Sequence, residues 1–116
     1  MYRFEKLRVY HDAMDLVQNV YQTTRLLPQE ERFVLVDQLR RSVISIVLNI
    51  AEGSGGLGDK EYQSFLRNAL KSLYETVAGL MLSQKMYHLN ISIALEKCDL
   101  VGKELNALIK YLKSKD

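Results

Sequence analysis

The chain is short of the residues that most site chemistry needs. It has one cysteine, Cys98, among 116 residues, so no internal disulfide can form and a reducing cytoplasm is the expected setting. Cys98 falls inside an apolar helical stripe and reads as a small buried hydrophobe, not a reactive thiol. Its two histidines, His11 and His88, lie far apart, and neither stands at metal-ligand spacing with Cys98 or a carboxylate pair. No nucleophile elbow, paired catalytic acids or cofactor loop is present, so neither catalysis nor a cofactor nor a metal is expected. Charge of one sign is scarce too: the net charge of +2 permits a nucleic-acid partner without pointing to one. The longest uncharged run, Ser42 to Ala51, is about half of a membrane span, so no membrane partner is expected. The opening residues MYRFEKLRVYHD are too charged for the apolar core of a signal peptide. There is one proline, Pro28, and no tryptophan, internal repeat or low-complexity tract.

What is present is a soluble globular composition, 47% apolar and 26% charged, which makes disorder a poor reading. A chain of 116 residues is one domain, 1–116, large enough for a real core. It is organised around the stretch from Phe33 to Gly53, FVLVDQLRRSVISIVLNIAEG. Wound as a helix, Gln38, Ser42, Ser45, Asn49 and Glu52 fall on one line, spaced 4-3-4-3. Apart from Asp37, Arg40 and Arg41 the rest is apolar over more than half of the circumference. Such a helix must be buried on more than one side. Partner helices cover one face, and a second copy of the chain is expected to cover the other, with Val36 and Val47 as contact positions. At 1.5 Å per residue, some twenty residues give a rod of about 30 Å.

Three further helices are predicted. The first runs from about Leu7 to Leu26 on the stripe Leu7, Tyr10, Ala13, Met14, Val17, Val20 and Tyr21. Arg3, Lys6 and Arg8 make its entrance basic, which we read as a solvated arm. Pro28 with Glu30 and Glu31 opens the central helix. Gly53-Ser54-Gly55-Gly56-Leu57-Gly58 closes it as a linker, since no strand precedes this loop and no Gly-Lys-Ser/Thr follows to make it a phosphate cradle. Asp59 is the expected N-cap of a third helix, Lys60 to about Met86. Asn90 or Ser92 should cap a fourth, whose seam is Ala94, Cys98, Val101, Leu105, Leu108 and Leu112. No strand pattern competes. Four helices with short connections imply an all-α, antiparallel up-down-up-down bundle that self-associates.

Two sets of residues are candidate sites. The first is the polar line of the central helix. Small hydroxyl and amide groups at helix contacts must pair, so we read Gln38, Ser45, Asn49 and Glu52 as a seam fixing register between helices or subunits. A pore or nucleic-acid groove is the alternative. Arg40 projects from the apolar sector and needs a carboxylate, with Glu75 or Glu52 expected. Arg41 stands beside Asp37 and suits either an ion pair or a phosphate contact. The second set is the basic surface: Arg41, Arg67, Lys71, Lys103 and Lys110 are the candidate nucleic-acid contacts. A solvated face is the ordinary reading of such charges, but assembly would concentrate them.

The string Leu27-Pro28-x-Glu30-Glu31-Arg32-Phe33-x-Leu35, followed by Gln38-Leu39-Arg40-Arg41-Ser42-x-x-Ser45-Ile46-x-x-Asn49-Ile50-Ala51-Glu52-Gly53, resembles the four-helix-bundle family of 23S rRNA intervening-sequence proteins. Phe4, Leu7, Asp59-Lys60-Glu61-Tyr62 and Ser72-Leu73-x-Glu75 extend the resemblance over nearly the whole chain. It departs where many members carry glycine at Val34, proline at Val47 and arginine at Gly56. The last change removes a positive charge from the exit of the central helix. The resemblance implies a homo-oligomer, a five-membered ring, with no enzymatic activity. A related branch, the accessory proteins of diversity-generating retroelements, binds nucleic acid through a basic surface. The resemblance thus implies a nucleic-acid-binding accessory protein that does not read sequence, with RNA or DNA as partner. A structural or protein-interaction module is the alternative.

Overall fold

The computed structural model describes residues 1–115. It is all-helical, with no strand among those residues. Four helices make up the fold: α1 (Arg8–Thr24), α2 (Leu35–Gly53), α3 (Asp59–Tyr87) and α4 (Ser92–Ser114). The molecule measures 47 × 22 × 19 Å, and the length is that of its longest helix, since 29 residues of α3 at 1.5 Å each span about 43 Å. No helix is long and apolar enough to cross a membrane.

Each helix packs on two others, in the cycle α1–α2–α3–α4–α1. Residue pairs show how they lie. Arg40 on α2 reaches Thr24 on α1, while Met14 and Val17 line a groove with Ile44, Val47 and Leu48. Ser45 and Ser42 on α2 meet Ser72 and Thr76 on α3, and Gly53 lies against Phe65. Leu73 on α3 touches Gly102 on α4, and Asp59 holds Lys115. The core is aliphatic: Leu16, Leu39, Ile46, Ile50, Leu66, Leu80 and Leu105 are all fully buried.

The structure departs from the sequence reading at several points along the helices. Phe33 is not helical. A short 3-10 turn, Gln29–Glu31, follows Pro28, and α2 starts only after Val34 leaves helical geometry at φ −119°, ψ −88°. The hydroxyl of Tyr87 donates to Glu31 and ties that turn to the far end of α3. Asp59 is not the cap of α3 but its first residue. Gly58 stands before it at φ +106°, and the Asp59 carboxylate holds Lys115 instead, at 3.4 Å. At α4 the buried position after Leu105 is Ile109, with Leu108 only half-buried. Asn90 and Ser92 do not cap α4 either: the cap position is Ile91, with no side-chain cap bond, and Asn90 Oδ1 accepts from the backbone N–H and the hydroxyl of Ser92, the first helical residue.

The basic arm is docked, not loose. Residues Arg3–Lys6 form a 3-10 turn, and the Phe4 ring packs on Tyr10 with centroids 4.7 Å apart. The charged ends of Arg3, Lys6 and Arg8 stay exposed. Arg3 lies across the glycine loop: a Cβ on Gly56, whose φ is +92°, would stand 3.1 Å from its Nη1. The exit of α2 is therefore not short of a cation. The positive charge that an arginine at position 56 would carry is supplied there by Arg3.

Candidate interaction surfaces

The polar line of α2 faces α3 and is answered by a matching line of small and hydroxyl residues. Ser42 and Thr76 share a hydrogen bond of 2.8 Å, and both are buried. Ser72 donates to Ser45 at 2.8 Å, and Asn49 donates to the Ser45 carbonyl and hydroxyl at 2.9 and 3.0 Å. Gln38 reaches Glu75 at 3.2 Å at the exposed end. Glu52, the last member, is exposed. Every buried hydroxyl on this seam has a partner, and that pairing fixes the height of α2 against α3. The complementary line, Ser72-Thr76-Gly79-Ser83, repeats the 4-3-4 spacing on α3 and was there to be read in the sequence. Gly79 lets the helices close: a Cβ there would stand 2.7 Å from Leu39 Cδ2.

Arg40 has neither of the carboxylates expected for it. Its guanidinium lies 4.3 Å over the ring of Tyr21, and Nε donates to the hydroxyl of buried Thr24 at 3.0 Å. The ring's negative face and one hydroxyl take the place of an ion pair. Two ion pairs join side chains among the described residues, Arg41–Asp37 at 2.9 Å and Lys115–Asp59 at 3.4 Å, so Arg40 makes no direct ion pair there. It opens into a cleft of about 610 Å³ with Tyr21, Asp37, Arg41, Ile44, Ser45, Leu48, Asn49 and Glu52. Next to this cleft lies a wholly apolar groove formed by Met14, Val17, Ile44, Val47 and Leu48. Val36 and Val47 are half-buried against the core, while Leu48 is 53% exposed and presents the freer apolar surface. Two side chains of this region, Tyr21 and Thr24, were not singled out from sequence as partners of Arg40.

The candidate phosphate contacts separate into two places. Arg41 sits on α2 beside that cleft and is paired with Asp37. Arg67, Lys71, Lys103 and Lys110 are all exposed on α3 and α4. Arg67 and Lys71 are one turn apart and share a face. The contact of Leu73 with Gly102 puts Lys71 and Lys103 at the same height on adjacent helices. Arg67 bonds only to Gln63 of its own helix, at 3.5 Å, and the three lysines take part in no ion pair among the described residues.

Four titrating groups are displaced from their ordinary values, among them Tyr62, which burial raises. Burial, with the Asp99 charge beside it, pushes the Cys98 thiol up to about 12, which suits the inert hydrophobe that its stripe implies. The hydrogen bond to Glu31 raises Tyr87 to about 12. On α4, Glu104 is raised to about 7 by burial and by a hydrogen bond and charge repulsion from Asp12 on α1, against the opposing pull of Arg8. Its Oε1 is buried without a partner. His11, by contrast, is exposed, with Nε2 placed 2.7 Å from the Glu5 carbonyl.

This geometry defines a helical bundle whose distinguishing parts are a hydroxyl seam inside and separate apolar and cationic surfaces outside. The chain belongs to the 23S rRNA-intervening sequence protein family, which it matches over residues 5–112. No curated protein matches the chain. A solved structure shares the fold: a protein with unknown function from the S23 ribosomal protein family of Bacteroides thetaiotaomicron VPI-5482, determined at 1.70 Å resolution. The TM-score is 0.62 at 23% identity, covering 91% of this chain and 95% of that one.

Proposed function

We propose that this chain is the non-enzymatic, cytoplasmic subunit of a homo-oligomer that holds nucleic acid without reading its sequence. The subunit is an antiparallel up-down-up-down bundle, and a five-membered ring is the assembly that the family resemblance implies. One observation supports the reading above others: the apolar groove lies on α1 and α2, while the free cations Lys71, Lys103 and Lys110 stand with Arg67 on α3 and α4. Assembly through the first surface leaves Arg67 and Lys71 of the second, on α3, in solvent. Five subunits at +2 bring roughly +10 onto one particle, enough for long-range attraction of a polyanion. Among the described residues no element presents a cluster of side chains shaped to reach base edges, so the contacts are to phosphate, on RNA or DNA alike.

The test is a salt titration of binding to mixed-sequence RNA and DNA, with wild type and an Arg67→Ala/Lys71→Ala variant. Affinity should fall steeply with salt. Loss of two phosphate contacts should make the logarithmic slope shallower by about 1.8 on duplex DNA and about 1.4 on single strands. An assembled protein that binds neither at low salt would refute the reading. The exposed apolar groove would then favour the second one, a structural or protein-interaction module without a nucleic-acid role.

A further inference from the structure

Two exposed helix faces of this molecule complement one another. The first is the α1–α2 groove already described, with Ile44 and Leu48 one turn apart and Arg40 one turn before Ile44. Arg40 is half-buried, oriented by Tyr21 and Thr24, and has no carboxylate partner among the described residues. A planar guanidinium held this way has part of its desolvation already met and its terminal N–H groups left for a bidentate acceptor. The second face is on α4. Ile93 and Leu100 are 59% and 46% exposed, and Glu96 stands between them, one turn from each. Glu96 is exposed and in no ion pair among the described residues. Both faces repeat one pattern, a charge followed one turn on by an apolar side chain, about 6 Å along the axis. The charges are opposite.

We infer that the α4 face of one copy docks in the α1–α2 groove of the next, with the Glu96 carboxylate on the Arg40 guanidinium and Leu100 against Ile44 and Leu48. This rests on the self-association proposed above and specifies its mating surface. Another exposed apolar side, on α3 around Tyr74 and Met81, is a poorer match because its neighbouring carboxylate, Glu75, already accepts from Gln38 at 3.2 Å. Two different patches meeting make a head-to-tail contact. Such a contact closes into a ring or runs on as a filament, and does not stop at a two-fold dimer.

The test is light scattering on the full chain, with circular dichroism as the check on folding. Glu96→Arg and Leu100→Glu lie on an exposed helix surface and should each weaken assembly more than about tenfold, leaving particles of 13.4 kDa at micromolar concentration. Adding Arg40→Glu to Glu96→Arg should restore the wild-type mass. Should that double variant lose its helical signal, Glu96→Arg and Leu100→Glu decide the matter between them. If both remain as large as wild type while Leu48→Glu falls apart, the α4 face is not the mate, although self-association stands. A wild-type protein that is monomeric throughout overturns both.

Discussion

Substituting Gly79 by alanine sets two effects of similar size against each other. In the middle of a helix, alanine is favoured over glycine by about 1 kcal/mol. Here the new Cβ would stand 2.7 Å from Leu39 Cδ2 and 3.1 Å from its Cγ, and Leu39 is fully buried. An extra methyl in a packed core costs about 1–3 kcal/mol. Crowding should win, so Gly79→Ala is expected to destabilise by about 1 kcal/mol net, within a span of about 0–2 kcal/mol. The three nearest atoms to that Cβ all belong to Leu39, which makes a double-mutant cycle clean. Leu39→Ala alone should cost about 2–5 kcal/mol. In that background the Gly79 methyl enters vacated space, and the same substitution should turn stabilising by about 1 kcal/mol. Urea unfolding followed by circular dichroism, at one fixed protomer concentration, measures both legs. Equal effects in the two backgrounds, or a full gain in the wild type, would refute the argument that this glycine exists for close approach.

Thr24→Val keeps the shape but removes the acceptor for Arg40 Nε, and should destabilise by about 1–3 kcal/mol; Arg40→Met in the same cycle should shrink that loss. Glu104 binds its proton more tightly folded (about 7) than unfolded (4.5), so its contribution to stability is fully present below 4.5 and is lost as pH rises through 7. Glu104→Gln should flatten the stability profile between those values, and an unchanged profile would count against the Asp12 pairing. Cys98, with its pKa pushed up to about 12, should resist alkylation at pH 8 in the native protein and react at once in urea.

The helices were legible because their apolar stripes keep the helical period, and the polar line of α2 stood out because it interrupts an apolar helix at one spacing. Other features were legible only with the third dimension. Arg40 was matched to carboxylates because charge suggested charge. Its real partners, Tyr21 and Thr24, become visible only when the end of α1 is known to lie beside the start of α2. Ile109 and Leu108 are both apolar, and a strict heptad selects Leu108. The straight 3.6-residue helix instead turns Ile109 into the core. Phe33 continues the apolar pattern of α2 although Val34 has left helical geometry, so the pattern alone overran the start of the helix. The surface cations were each identified, but which of them are spent on an ion pair depends on distances.

The packing of Arg3 over Gly56 shows how a bundle can trade residues between distant parts of its chain. A larger residue at position 56 would meet the Arg3 guanidinium within 3.1 Å and would have to adopt φ +92°, so the two positions compete for one volume. A cation can stand at that point from the loop or from the N-terminal arm, and a side chain at 56 would ask the exposed end of Arg3 to shift. What stands beside that loop is a charge at a point in space, and here the N-terminal arm delivers it to a place the loop itself could also have served.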